Sequence, residues 1–166
     1  MSLLKITVVR EDCEAATVSH TQARQAQEMK MDIAENKKLV EQFFDAIARG
    51  DIARMDEMMT DDATWWVAPS TVFSGLHERY DFLAIVPQLF EQAAGPLSFK
   101  FGEFTAEDDR VSLTAKGHLL MKNGKTYASD YHFLLYVRDG KIAGGREYLD
   151  SVHVGEVFGL PDTAVA

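Results

Sequence analysis

The chain has 166 residues, enough for one domain with a substantial core and too few for two ordinary domains. Its hydrophobic fraction of 46% and charged fraction of 26% are those of an average globular protein, which excludes disorder of the whole chain. The net charge of -9 at pH 7 argues against a nucleic-acid partner, because an acidic surface repels phosphate backbones.

Residues 1–31 and 161–166 are predicted to lie outside the folded domain. Residues 5–10 could form a strand, whereas residues 15–30 are compatible with a helix but have no clear apolar stripe. We expect an N-terminal arm that is disordered, covers the mouth of a pocket or contacts another subunit. The domain itself is expected to occupy residues 32–160.

Two helices and a strand are predicted at the start of this domain. A capping box at residues 32–35 begins the first helix, and its apolar stripe runs up to Gly50. Asp51 is the expected cap of a second, shorter helix that ends before Asp61. A strand is then expected at residues 64–67.

A third helix is predicted over residues 77–92, after a loop at residues 69–75, with a kink at Pro87. Beyond it the apolar period changes from helical to two. Four strands are expected, at residues 97–104, 110–122, 125–137 and 141–150. Asn123-Gly124 and Asp139-Gly140 should join the last three as an antiparallel meander, because these dipeptides tolerate positive φ. Helices followed by strands predict an α+β fold.

Alternation along the strands predicts which side chains face inward. On the second of the four strands, Ala115 and Gly117 are small and should leave room for a ligand cavity. The inner side of the next strand carries Tyr127, Ser129, Tyr131 and Phe133. Trp65 and Trp66 lie on opposite faces of their strand, so one of them should wall the pocket.

Glu147 is the strongest catalytic candidate, because its face of the last strand also carries Ala143, Gly145 and Leu149. Apolar surroundings disfavour a carboxylate and raise its pKa toward the range useful for proton transfer. A salt bridge is the plainer alternative. A bulge near Gly144-Gly145 would instead turn Arg146, Tyr148 and Asp150 to the inner face.

Other classes of site find little support. No apolar run approaches the roughly 18 residues of a membrane span, and no signal peptide is recognisable, so we expect a soluble cytoplasmic protein without a membrane partner. Cys13 is the only cysteine, which excludes an intrachain disulfide. Thr60-Asp61-Asp62 lacks the alternation of a calcium loop. We expect neither a metal nor a cofactor.

Three local strings resemble those of a known family. They are Asn36-Lys37-Lys38-Leu39-Val40-Glu41-Gln42-Phe43-Phe44 followed by Gly50-Asp51, then Asp139-Gly140-Lys141-Ile142, and Arg146-Glu147-Tyr148-Leu149-Asp150. With the order of elements, they resemble SnoaL-like domains, in the superfamily of ketosteroid isomerase, scytalone dehydratase, limonene epoxide hydrolase and nuclear transport factor two. The resemblance covers about residues 32–159. This fold hosts several chemistries, so it predicts architecture better than function.

The resemblance implies a curved antiparallel sheet wrapped around three N-terminal helices, with a conical pocket between them and commonly a homodimer through the outer sheet face. In phenazine-biosynthesis members, the glutamate of a similar Arg-Glu-Tyr string is a pocket acid, which implies that role for Glu147. A histidine after a glycine at the start of the third helix lines the pocket there. His77 after Gly75 is similarly placed.

Further candidates complete the predicted site. Asp150 is the next carboxylate, and the Tyr131 hydroxyl could donate a hydrogen bond to a developing oxyanion or simply pack in the core. His77 could relay a proton or lie at an exposed helix start. The expected substrate contacts are Trp65, Trp66, Tyr127, Ser129, Phe133 and Leu149.

These patterns favour a cofactor-free enzyme that isomerises, dehydrates or cyclises a small, largely apolar carbonyl or polyketide-like compound. The alternative is a non-catalytic ligand-binding or dimeric assembly domain. The expected partners are a small apolar ligand and a second copy of the chain.

Overall fold

The structure is a computed structural model and describes residues 32–160. The predictions for residues 1–31 and 161–166 lie outside the described residues. The helices are α1 (residues 32–49), α2 (Ile52–Met58), α3 (Arg79–Gln92) and α4 (Ser151–Phe158). The strands are β1 (Met59–Val67), β2 (Gly75–Glu78), β3 (Ser98–Glu107), β4 (Arg110–Leu120), β5 (Thr126–Arg138) and β6 (Lys141–Leu149).

The six strands form one curved sheet in the order β2-β1-β6-β5-β4-β3. The pair β1 and β6 is parallel, and the other four pairs are antiparallel. The predicted α+β class is therefore confirmed, with a mixed sheet in place of a purely antiparallel one. None of the helices within residues 32–160 is both long and apolar enough to cross a membrane.

The helices pack their apolar faces on this sheet, and aromatic rings fill the space between the layers. Phe44 of α1 is buried, and its ring centroid lies 4.6 Å from that of Phe133 and 5.3 Å from that of Phe99. Removing so many apolar groups from water is the main stabilising contribution to such a fold. The same rings form one end of the cavity described below.

The predicted element boundaries were wrong around residues 59–78. Strand β1 begins at Met59, five residues earlier than expected, although Asp61 and Asp62 were predicted to end a helix. These carboxylates instead form salt bridges, Asp61 with Arg79 at 2.6 Å and Asp62 with Arg138. Strand β2 was missed altogether, and its last residues were assigned to α3.

The two predicted hairpin turns are confirmed by their backbone angles. Gly124 has φ 82°, while Asp139 and Gly140 have φ 53° and 69°. The two consecutive positive angles at Asp139-Gly140 match the right-handed twist of the flanking strands, whereas in the other turn only Gly124 has a positive φ. These turns set the register of β4, β5 and β6.

A bulge in β6 decides which side of that strand faces the core. Val137 pairs with Ile142 but Tyr136 pairs with Gly144, so the extra residue is Ala143. Ile142, rather than the predicted Ala143, therefore shares the inner face with Glu147. Without this extra residue the hairpin register would place Arg146 opposite Phe133, so the bulge turns Glu147 to the inner face.

Candidate active site

A cavity of about 90 Å³ lies between the concave face of the sheet and helices α1, α3 and α4. Its wall is largely aromatic and includes Phe44, Trp65, Phe73, Phe82, Phe99 and Phe158. Besides Trp65, three lining side chains carry polar groups, and these are Glu147, Tyr127 and Tyr131. Indole Nε1 of Trp65 adds one further donor.

Glu147 reaches this cavity because it is paired with Phe133 on the inner face of the sheet. Its Oε2 accepts a hydrogen bond of 2.8 Å from Nε1 of Trp65. Burial among apolar groups raises the pKa of the Glu147 carboxyl to about 7, although the Trp65 hydrogen bond acts in the opposite direction. A carboxyl with this pKa can both accept and release a proton near neutral pH.

Tyr127 and Tyr131 lie four residues apart on one face of β5, and their hydroxyls are hydrogen-bonded to each other. Burial raises the pKa of Tyr127 to about 12, and the nearby charge of Glu147 contributes to the increase. Burial also raises the pKa of Tyr131, with the charges of Tyr127 and Glu147 as further causes. Both hydroxyls therefore keep their protons at neutral pH. One proton forms the mutual bond, and the other is free to be donated to a ligand.

The expected space beside Gly117 is occupied, which corrects one sequence-based prediction. A Cβ at Gly117 would lie 2.8 Å from Cε2 of Tyr131 and 3.6 Å from Cε1 of Phe99. Gly117 thus accommodates the Tyr131 ring rather than a ligand. The ring also stacks on Phe133, with centroids 4.9 Å apart and an interplanar angle of 14°.

This contact predicts that Gly117→Ala lowers the free energy of unfolding by ~1–3 kcal/mol, since the added methyl must displace the buried Tyr131 ring. Urea denaturation followed by circular dichroism measures the change. Gly95→Ala is the matched control, because its Cβ would meet Leu120 at 3.6 Å, an ordinary contact. An unchanged urea midpoint for Gly117→Ala would show that Tyr131 is not held in this position.

His77 does not line the cavity, contrary to the prediction for a catalytic residue. Its Nε2 lies 2.8 Å from the carbonyl oxygen of Phe73, to which the ring donates a hydrogen bond. Phe73 itself lines the cavity. His77 therefore contacts the loop that carries Phe73 and not the cavity itself.

Asp150 and Ser129 are likewise outside the cavity wall. The Asp150 carboxylate caps α4 and accepts hydrogen bonds of 3.1 and 3.0 Å from the backbone N–H groups of Val152 and His153. Ser129 is buried, and its Oγ accepts a hydrogen bond of 3.3 Å from the backbone N–H of Asp150. Both residues fix the junction between β6 and α4.

The two tryptophans face opposite sides of β1, as predicted, and Trp65 is the inner one. Trp66 lies on the outer face of the sheet, where its ring centroid is 5.2 Å from that of Tyr148 and 5.4 Å from the guanidinium carbon of Arg146. Trp66 therefore does not line the cavity, although it was predicted to contact the substrate. The predicted residues that do come together around the cavity are Glu147, Tyr131, Trp65, Tyr127, Phe133 and Leu149.

Sequence reasoning missed Phe73 and Phe158, whose ring centroids lie 5.1 Å apart at the cavity wall. The sequence features that could have identified them are an aromatic residue in a polar loop and another at the end of a short helix. The imidazole of His153 stacks on Tyr127, with centroids 5.6 Å apart, and its Nε2 accepts the backbone N–H of Ala128.

Within residues 32–160, no group of three or more His, Cys, Asp or Glu side chains is arranged to hold a metal ion. The chemical groups that the cavity offers a ligand are one carboxyl, two phenols and apolar surface. This combination can bind an uncharged apolar molecule, exchange a proton with it and donate a hydrogen bond to its oxygen.

Comparison with known proteins gives a family and a fold. Residues 40–144 match the family described as SnoaL-like domain. An NTF2-like protein from Burkholderia xenovorans is 24% identical, with a TM-score of 0.62, over 75% of this chain and 95% of that one. PrhC from Penicillium brasilianum is 14% identical, with a TM-score of 0.69, over 75% and 86%. An LEH-like epoxide hydrolase from M. tuberculosis is 17% identical, with a TM-score of 0.62, over 75% and 90%. No curated protein matches the sequence.

Proposed function

This chain belongs to the SnoaL-like domain family, and on that premise we propose that it is a cofactor-free enzyme in which Glu147 moves a proton on a small, uncharged carbonyl compound. Solved structures with this fold include an epoxide hydrolase, so the architecture alone leaves the reaction open. The proposal therefore depends on the groups inside the cavity.

The observation that carries it is the position of one carboxyl with a pKa of about 7 in an apolar cavity that also contains the tyrosine pair. A base and a hydrogen-bond donor in one small enclosed space are the two groups that enolisation needs. A structural carboxylate would more commonly form an ion pair. None of the described salt bridges involves Glu147.

The proposed step is removal of a proton from the carbon next to the carbonyl group. The C–H bond breaks, an O–H bond forms on Glu147, and the electron pair moves onto the carbonyl oxygen as an enolate. The free hydroxyl proton of the Tyr127–Tyr131 pair stabilises that oxyanion. Return of the proton to another carbon completes an isomerisation. Transfer of the same proton from Glu147 to a β-hydroxyl, which leaves as water while the enolate electron pair forms a C=C bond, completes a dehydration.

The cavity wall also indicates the charge of the substrate. None of the described residues that line the cavity is Lys, Arg or His, so a carboxylate or phosphate group would be buried beside Glu147 without a counter-ion. Flat aromatic walls favour a compact cyclic ketone or enone. Polyketide-like compounds of this kind are the expected substrates, in an isomerisation, dehydration or cyclisation.

Deuterium exchange tests this function on a whole class of compounds at once. A panel of small cyclic ketones and enones is incubated with the protein in D2O, and loss of the α-hydrogen signals is followed by NMR. We expect exchange above the buffer rate for at least one neutral compound and none for carboxylated analogues of similar size. Binding without any exchange across the panel would contradict the proposal.

A second candidate function is ligand binding without turnover, favoured by the largely apolar wall of the cavity. Binding would quench or shift the fluorescence of Trp65, and Glu147→Gln would bind as tightly as the wild type.

We further propose a homodimer through the outer sheet face, where the Tyr148 side chain is 43% exposed beside Trp66. Sedimentation of Tyr148→Lys, expected to be monomeric, tests this interface.

A further inference from the structure

Gly145 lies directly beside Trp65, because the two residues are paired in the parallel ladder between β1 and β6. A Cβ at Gly145 would lie 2.3 Å from Cζ3 and 2.4 Å from Cε3 of the indole, far closer than atoms can approach. The φ of Gly145 is not in the positive region, so its backbone conformation does not require glycine. Glycine is required here because a side chain would occupy the space in which the indole lies against the backbone of β6.

The other sides of the indole are enclosed as well. Phe82 stacks on it, with ring centroids 4.4 Å apart and an interplanar angle of 16°. Phe43 and Phe133 contact it at centroid distances of 5.9 and 6.3 Å. Trp65 is 1% exposed. A methyl group at Gly145 would therefore displace the indole against these rings or into the cavity that it lines.

This arrangement determines how the two oxygens of Glu147 are used. Glu147 lies two residues after Gly145 on the same face of β6, and its Oε2 accepts the Trp65 Nε1–H at 2.8 Å. Among the residues that the structure describes, Oε1 has no hydrogen-bond partner. The titratable side chains that face Glu147 in the cavity are Tyr127 and Tyr131, whereas α1, α3 and α4 contribute apolar groups.

We propose that Gly145 is a positioning residue, which seats the Trp65 indole so that Nε1–H holds Oε2 of Glu147 and leaves Oε1 as the oxygen that takes the proton. This inference rests on the proposed function, since it assigns a role within that reaction. The C–H bond of the substrate breaks, the O–H bond forms at Oε1, and the electron pair moves onto the carbonyl oxygen. Gly145 acts on this step only through Trp65.

The test uses Gly145→Ala, which displaces the indole, and Trp65→Phe, which keeps an aromatic ring but removes the N–H donor. Either change withdraws a hydrogen bond that favours the carboxylate. We expect the midpoint of the pH–rate profile to rise by about one pH unit and the rate at neutral pH to fall about fivefold. Gly95→Ala and Trp66→Phe are the controls and should keep the wild-type profile.

A second readout does not depend on turnover. In ¹⁵N-labelled protein the indole N–H signal of Trp65 should move upfield in Gly145→Ala, because its hydrogen bond to Glu147 is lost. Wild-type pH profiles in both variants, or an unmoved indole signal, would overturn the role of Gly145 even if Glu147→Gln is inactive. If Gly145→Ala does not fold, the pH–rate profile of Trp65→Phe tests whether the indole hydrogen bond sets the midpoint. If Glu147→Gln keeps full turnover, the proposed function fails, and the indole signal still tests the contact.

Discussion

Replacing Glu147 with Gln is expected to lower the rate of α-hydrogen exchange by ~10²–10⁴-fold, the usual contribution of a general base. Gln has nearly the same shape, and its carbonyl oxygen can still accept the Trp65 Nε1–H that now binds Oε2. The substitution therefore removes the proton acceptor and leaves the cavity wall in place. Exchange rates of the two proteins in D2O, measured by NMR on the same ketone, give the ratio.

Glu91→Gln is the matched control, because Glu91 is exposed on α3 and does not line the cavity. It makes the same chemical change and should leave the exchange rate unaltered. Ligand affinity supplies the second comparison, since Glu147→Gln should bind the ketone about as well as the wild type. Unchanged turnover in Glu147→Gln would remove the base from the mechanism.

The same substitution is expected to stabilise the protein at alkaline pH. The pKa of Glu147 is raised from an ordinary 4.5 to about 7 in the folded chain. Folding therefore favours the protonated carboxyl. Its contribution to the stability of the protein is complete below about pH 4.5 and is lost as the pH rises through about 7. A shift of this size corresponds to about 3 kcal/mol above neutrality. Gln cannot ionise and avoids the loss.

Urea denaturation of the wild type and Glu147→Gln at about pH 4 and about pH 8.5 measures this difference. The two free energies of unfolding should be close at the lower pH, and the variant should exceed the wild type by up to about 3 kcal/mol at the higher pH. Glu91→Gln should follow the wild type throughout. A variant that is no more stable at either pH would mean that the Glu147 carboxylate is well solvated. Loss of activity together with gain of stability is typical of a catalytic group in an unfavourable environment.

Elements with a strong period or a specific turn dipeptide were predictable from the sequence. Helix α1 and strands β4 and β5 follow the expected patterns, because their buried residues recur with the helical period or the period of two. The site residues on β5 and β6 were found for the same reason. Once the hairpin turns fix the register, alternation assigns Tyr131 to the inner side, whereas Glu147 faces inward because of the bulge at Ala143.

The missed features depend on contacts between distant parts of the chain. Strand β2 has four mostly exposed residues and no apolar alternation, and it forms only because it pairs with β1. The hydrogen bond from Trp65 to Glu147 spans 82 residues and requires the parallel pairing of β1 with β6, which local patterns do not reveal. The role of Gly145 is hidden for the same reason, since a glycine in a strand first suggests a bulge.

His77 illustrates how the neighbours of a residue decide its role. The sequence places it after a glycine near the start of α3, where a pocket histidine was expected. Because residues 75–78 form a strand instead, its ring reaches the carbonyl of Phe73. The predicted pocket position requires α3 to begin at residue 77. Residues 75–78 pair with β1 instead, and α3 begins at Arg79.

The most direct test of the account is the pH titration of the indole N–H signals in ¹⁵N-labelled protein. The chain has two tryptophans, and only Trp65 donates to Glu147. We predict that the Trp65 signal shifts with a midpoint near pH 7 and that Glu147→Gln abolishes this shift. Trp66, on the outer face, should not report this transition. A Trp65 signal that titrates near pH 4.5, or stays constant through neutrality, would contradict a buried Glu147 poised for proton transfer.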